Sequence, residues 1–421
     1  MKKIIKIIIA MLFIHNIYGQ NDTFIRSSLH MVMIEDFNFN NGPLVKNSFE
    51  KYPFPEGVYN NHNVNQKYLD LTQYILTPEE EIQYGVNKSK GGKLLSDVAT
   101  ASTAGIIQDN SKVEYQLLKF INQKKFAHEL LKKWFNIKED GSFNQNYVTD
   151  MINLQLTEEQ KKAYSLAASA SAEEDKNREY LIDNTYIVFN RMNFVSNEVV
   201  ALPIYEKAKS KANELSGIKQ TLALKAAESV YNKTKEGYSV WTTGWLFDFK
   251  WDKLDLSNFK KAIVKENGVS KIDLEKFYET NFSLNYVGTE KATSLVTFSL
   301  KKGEANRSES EIIELSTNRN IDKVLVKLQR GYEQFMPVFP IQSEKPIGAY
   351  LGMKEGLEGG EVFEFIEEQT DGTYKTSGSI KVDKKKIWDN RYGSSEKKGM
   401  TYFKGKLPKN LGKGALIRQK R

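Results

Sequence analysis

Asp248, Asp252 and Asp255 stand close together in the chain and are its best carboxylate cluster. On an extended segment Asp248 and Asp252 can share one face. Two such carboxylates can divide the acid and base roles of glycan cleavage. They can also offer oxygen to a hard cation such as calcium, although the spacing matches no calcium-loop motif. The competing role is plain: carboxylates at a strand end are usually solvated.

Two other runs imitate catalytic motifs and fail on one residue each. His128-Glu129-Leu130-Leu131-Lys132 begins like a helical zinc site, but Lys132 stands where the second histidine is needed. Gly237-Tyr238-Ser239-Val240-Trp241 has the serine of a nucleophile elbow, but Trp241 occupies a position that must be small for the strained turn. The chain has no cysteine and only four histidines. Thiol nucleophiles, thiolate metal sites and disulfides are therefore excluded. No glycine-rich phosphate loop is present. No cofactor or bound metal is expected, and a non-enzymatic protein is the leading reading.

Residues able to bind are concentrated near the end. Residues 381–421 hold 14 Lys and Arg against three acids, a net of +11 in a chain whose total is +8. Residues 347–380 hold two lysines against seven acids, a net of −5. Lys384, Lys385, Lys386, Lys397 and Lys398 are the expected contact charges. Trp388, Arg391 and Tyr392 are of the types enriched at binding hot spots. The partner expected is an envelope protein or an anionic envelope surface, either lipid phosphate or cell wall. The competing role is a solvated lysine-rich face, with 388–392 a packed corner.

The start of the chain indicates the compartment. Lys2, Lys3 and Lys6 precede an apolar run at 7–14, and Gly19 suits cleavage before Gln20. This is the pattern of a secretory signal, and the run is too short to span a bilayer. No transmembrane span is expected after cleavage. Without cysteine the protein is not a lipoprotein, and nucleic acid is not an expected partner of an exported chain. The expected location is the periplasm or the outer membrane.

The remaining elements must position these residues. Residues 29–34 suggest a strand within an irregular arm. Helices are expected at 67–76, after Thr77-Pro78, at 111–135 and at 157–172. Residues 186–195 read as a strand, and 203–235 as a charged helix with a break at Gly217. Trp241, Trp245, Phe247, Phe249 and Trp251 alternate along 238–251, which puts large rings on one strand face. They form either the core face of a strand, beneath the helices at 203–235 and 320–335, or an exposed platform for sugars. A strand at 292–300 and a helix at 320–335 follow. Past Pro337, Pro340 and Pro346, short strands alternate with turns. Asp371-Gly372 marks a hairpin, and 415–419 is the last strand.

The fold class expected is α+β in three parts after the signal at 1–19. Residues 20–180 form a helix-rich N-terminal domain. Residues 181–342 form an α+β sandwich, with helices on one face of a mostly antiparallel sheet. Residues 347–421 form a small all-β, barrel-like module.

Three runs also carry a likeness. They are Trp134-Phe135-Asn136 with Asp140-Gly141-Ser142-Phe143, then Gly352-Met353-Lys354-Glu355-Gly356, and then Trp388-Asp389-Asn390-Arg391-Tyr392 with Gly414-Ala415-Leu416-Ile417-Arg418. Over roughly residues 110–421 the chain resembles a group of uncharacterised exported cell-envelope proteins of Bacteroidetes-type bacteria. The resemblance implies an envelope location and supplies no activity. The chain departs from that pattern at 204–236, where a charged helix replaces a Gly/Ala-rich apolar stretch. The function expected is that of an exported, non-enzymatic structural or interaction component. The alternatives are a glycan-active enzyme using the paired carboxylates and a carbohydrate-binding module using the aromatic face.

Overall fold

The computed structural model describes residues 27–35, 39, 41–55, 58–60, 64–86, 110–144, 182–249, 251–298, 307–368, 374–394 and 399–420. The expected signal at 1–19, the helix at 157–172, the Asp371-Gly372 turn and Lys397-Lys398 lie outside the described residues.

The architecture is α+β, with a mixed sheet and a closed C-terminal barrel. The sheet runs β2 (Val58–Asn60), β1 (Ser27–Ile34), β4 (Thr185–Ser196), β5 (Tyr238–Phe249) and β8 (Leu284–Val296), and β3 (Tyr68–Leu69) shares an edge of β1 with β2. β1 pairs in parallel with β2, β3 and β4, whereas β4–β5 and β5–β8 are antiparallel. The two regions expected on either side of residue 181 thus meet in one sheet. β1 and β4 are buried on both faces, which explains their nearly continuous apolar sequence.

One face carries α1 (Gly42–Glu50) and the long α9 (Glu309–Gly331). Leu29, Met31 and Met33 of β1 and Val240 and Leu246 of β5 pack there against Val324 and Leu328 of α9. Gly244 makes this approach possible: a Cβ added to it would lie 2.4 Å from Val324 Cγ1. The opposite face carries α3 (Val113–Gln123), α4 (Phe126–Trp134), α7 (Lys253–Lys261) and α8 (Leu274–Glu279). Val32, Ile34, Trp245, Phe247 and Phe249 point to that side, as the two-residue period requires.

The aromatic run is core. Trp245, Phe247, Phe249 and Trp251 are buried and Trp241 is half-buried. The helices above them correct the expectation. The rings pack against α3, α4, α7 and α8, because α9 occupies the other side and the segment 197–234 stands off the sheet. Buried rings offer no stacking platform to a sugar.

Local chemistry accounts for several boundaries. In place of a helix at 67–76 there are β3 and a 3₁₀ turn, Leu71–Tyr74. The free edge of β1 captures the chain there, with Met33 N bound to Lys67 O at 2.8 Å and Glu35 N to Leu69 O at 2.8 Å. α2 (Pro78–Tyr84) starts as expected, with a Thr77–Glu80 capping box and Pro78 in its first turn. The helix expected at 111–135 breaks into α3 and α4 at Lys125, whose φ is +50°. Between β4 and β5 the chain forms a helical hairpin, α5 (Asn197–Asn213) and α6 (Gly217–Thr234), divided before Gly217. A small hairpin of β6 (Ile263–Glu266) and β7 (Val269–Ile272) precedes α8.

The barrel is closed by β9 (Val338–Glu344), β10 (Ile347–Ala349), β13 (Thr401–Gly405), β12 (Tyr374–Val382), β11 (Val362–Glu368) and β14 (Leu416–Gln419), all antiparallel. Closure removes free edges, and Ile341, Leu351, Phe363, Phe365, Val382 and Ile417 fill its interior. Among the described residues no helix is long and apolar enough to cross a membrane.

Candidate functional site

The carboxylate cluster does not assemble. Strand β5 ends at Phe249, so Asp252 lies beyond it as the N-cap of α7 and shares no strand face with Asp248. Asp252 Oδ1 accepts from Leu254 N at 2.7 Å and Asp255 N at 2.9 Å, and Asp255 Oδ2 accepts from Asp252 N at 3.3 Å. That capping box engages both carboxylates in starting a helix. Asp248 is buried in β5 on the side away from Phe247 and Phe249. Among the described residues no three His, Asp or Glu side chains gather around a possible metal position. His128 is buried, with Nε2 2.8 Å from Thr280 O and its pKa lowered, chiefly by desolvation. Ser239 is buried and donates to Asn197 Oδ1 at 2.8 Å.

What does assemble is the pair of runs at 352–356 and 388–392. They meet between the barrel and α9. Gly352 pairs in parallel with Trp388, and Met353 N donates to Trp388 O at 3.0 Å. The approach needs glycine, since a Cβ on Gly352 would stand 2.2 Å from Trp388 O and 2.5 Å from Asn390 Oδ1. Asn390 locks the turn from both ends of its amide. Its Oδ1 accepts from Lys354 N, and its Nδ2 donates to Glu355 Oε2, each at 2.8 Å. Glu355 Oε2 also accepts from Gly352 N at 2.7 Å.

Around this turn is a buried charge network. Asp322 lies on the buried side of α9, and its Oδ1 accepts from Tyr52 OH at 2.7 Å. Its pKa is pushed up to about 7. Burial is the main cause, Lys354 and the Tyr52 hydroxyl oppose it, and Glu355 reinforces it. Lys354 is itself buried. It donates to Pro53 O, and its Nζ lies 5.0 Å from the centre of the Tyr52 ring. Asp389 and Arg391 pair through two bonds, Nε to Oδ1 at 2.8 Å and Nη2 to Oδ2 at 2.7 Å. The guanidinium holds the Asp389 carboxyl below its ordinary value. Tyr392 donates to Glu314 of α9, which drives its phenol up to about 12, and Arg319 Nη2 donates to Tyr392 O at 3.4 Å. Desolvation comes first among the causes that lower Arg319. Side chains from α9, from the segment after α1 and from the barrel thus share one network.

This placement corrects part of the expected binding set. Trp388 is buried, with Gly399 against its ring and its backbone N–H held by Thr401 Oγ1 at 3.1 Å, so it offers no exposed anchor. Arg391 and Tyr392 are bonded within the protein to Asp389 and Glu314. Lys384, Lys385 and Lys386 are exposed on the barrel, with Lys386 Nζ 5.7 Å from the centre of the Tyr402 ring.

Asp322, Lys354, Tyr52 and Glu314 escape a reading of the sequence. The one available signal is Asp322 itself, a charge set between Ile321 and Val324 on the apolar side of α9. No family model, no curated protein and no solved structure matches this chain.

Proposed function

We propose that the chain is an exported envelope protein that acts by binding rather than catalysis, and that its partner is an anionic lipid surface. The observation that carries this reading is the α5–α6 hairpin. Thirteen large apolar side chains are exposed among the described residues, and seven of them fall between 197 and 234. α6 has no buried residue. The pair is held together by stacking of Tyr205 on Tyr231, 4.8 Å between ring centres, and by a bond from Tyr231 OH to Glu198 Oε1 at 3.2 Å.

Leu215 and Ile218 lie at the turn of this hairpin, with Leu222 one turn further on and Lys211 and Lys219 beside them. Apolar side chains flanked by lysines suit shallow insertion among headgroups, with ammonium groups left at phosphate level. Lys384, Lys385 and Lys386 add charge on the barrel. The lysine-led apolar start of the chain supports export.

Sedimentation with phosphatidylcholine vesicles, with and without phosphatidylglycerol, tests this. Binding is expected only with the anionic lipid, and it should weaken as salt rises and in the double variant Ile218→Glu, Leu222→Glu. Absence of binding at low salt overturns the lipid assignment. So does binding that ignores salt and both substitutions.

A further inference from the structure

The barrel docks on one side of α9. Leu315, Arg319, Asp322, Val326 and Arg330 follow one another at three- and four-residue steps, so they form a single stripe of that helix. Both ends of the stripe meet barrel turns. Leu315 Cδ1 would lie 3.3 Å from a Cβ on Gly393, and Val326 Cγ1 2.6 Å from a Cβ on Gly356. Arg319 Nη2 donates to Tyr392 O at 3.4 Å, and Arg330 Nη2 to Gly356 O at 2.8 Å. Asp322 is the middle of the stripe. We infer that Asp322 is a proton switch for this junction: the barrel stays docked on α9 while the carboxyl is protonated and swings away when it ionises. The device is separate from the α5–α6 hairpin and does not depend on what that hairpin binds.

The geometry serves the ion poorly. Asp322 is buried, its Oδ1 accepts from Tyr52 OH at 2.7 Å, and its Oδ2 accepts no hydrogen bond. An ionised carboxylate has about four lone-pair sites to satisfy, so one donor leaves it badly solvated away from water. The groups that face it come from every element packed there. They are Tyr52 from the segment after α1, Arg319 from α9 itself, Lys354 and Glu355 from the 352–356 turn, and Arg391 from the 388–392 turn. Burial raises the carboxyl most, and Glu355 reinforces it. Lys354, Tyr52 and Arg319 oppose that rise without cancelling it, which leaves the carboxyl at about 7.

The fold also offers a way to let water in. The barrel begins at Val338 and takes in the rest of the chain, so one covalent link, through Met336-Pro337, joins it to α9. Beside that link a cleft of about 200 Å³ already separates the last turns of α9 from the barrel. The barrel and the sheet have separate cores, so parting at the junction need unfold neither. Opening hydrates Asp322 and returns it to the ordinary aspartate range. Between that range and pH 7 the docked state holds a proton that the open state has released. Opening must therefore increase as pH rises toward 7 and level off above it.

The chain has no cysteine, so one introduced thiol can report on the junction. Leu315→Cys places it in the docked face, opposite Gly393. Its reaction with 4,4′-dithiodipyridine is followed from pH 5 to pH 8.5. Each rate is divided by that of the same chain unfolded in urea at the same pH, which removes the thiol's own titration. This ratio should rise on the order of 50-fold between pH 5 and pH 7, and at most about twofold more beyond. Adding Asp322→Asn should abolish the rise. Val32→Cys in the sheet core and Val382→Cys inside the barrel, each made alone, report unfolding of either part. At pH 8 both should react at least about tenfold more slowly than the thiol at position 315. A ratio indifferent to pH overturns the switch, and so does an equal rise in Asp322→Asn. Core thiols that react as fast as the junction thiol overturn it too, since the response then belongs to unfolding of the whole molecule.

Discussion

Asp322→Asn keeps an acceptor for Tyr52 OH and removes the charge that α9 buries. The Asp322 pKa is about 7 in the folded protein, against 3.8 for an ordinary aspartate in water. Between those values the folded protein holds a proton that the unfolded chain has released. The folded state binds more protons in that window, so stability must fall as pH rises through it. The span of about 3 pH units corresponds to about 4 kcal/mol, absent below pH 4 and complete above pH 7. Lys354, Tyr52, Glu355 and Arg319 face the carboxylate, and their net effect is already contained in the shift. Asparagine cannot ionise and should escape this loss. The assay is urea unfolding of both proteins from pH 4 to pH 8.5, because titration of all other groups cancels in the difference. That difference should move in favour of the variant by about 4 kcal/mol, a relative shift of midpoints on the order of 2 M urea. Tyr52→Phe removes a bond that lowers the pKa, so in that variant the fall in stability should extend to higher pH. Parallel pH profiles for wild type and Asp322→Asn would refute the reasoning.

Phe247 is fully buried among the rings of the sheet, so Phe247→Ala should cost about 3–5 kcal/mol, read as a lowered urea midpoint. An unchanged midpoint would contradict its place in the core. Gly244→Ala puts a methyl group 2.4 Å from Val324 Cγ1 and should cost about 1–3 kcal/mol through displacement of α9, measured in the same way. Reversing Lys384, Lys385 and Lys386 to Glu should reduce vesicle binding at low salt and leave thermal unfolding nearly unchanged, because all three are exposed. Tyr392→Phe loses the bond to Glu314 and should cost about 1 kcal/mol, seen as faster amide exchange where α9 meets the barrel.

The sequence by itself determined those features that depend on neighbours along the chain. The two-residue period of 241–251 specifies a strand with a ringed face, Thr77-Pro78-Glu79-Glu80 specifies a capped helix start, and Gly217 marks the break between α5 and α6. The spacing of short strands after Pro346 indicated a barrel, but only five of its six strands lie there: the sixth, β9, precedes Pro346, carries Pro340 and lies outside the module expected at 347–421. Only tertiary structure decided the rest. Period alone places the rings on one face but cannot say which helices cover it. That choice rests on Gly244, whose missing side chain admits α9 to the opposite side. The free edge of β1 overrode the helical pattern at 67–76, since a sheet edge offers backbone partners no local rule foresees. Asp248 and Asp252 were close in the chain, yet the turn after Phe249 put one inside and the other at a helix start. The charged junction was the least legible feature of all. Tyr52, Asp322 and Lys354 are far apart in sequence, and only Asp322, a charge on the apolar side of a helix, departs from an ordinary surface pattern. Their shared burial creates the raised Asp322 pKa and leaves Glu355 Oε1 without a donor, because desolvation belongs to the assembled fold and to no segment of it.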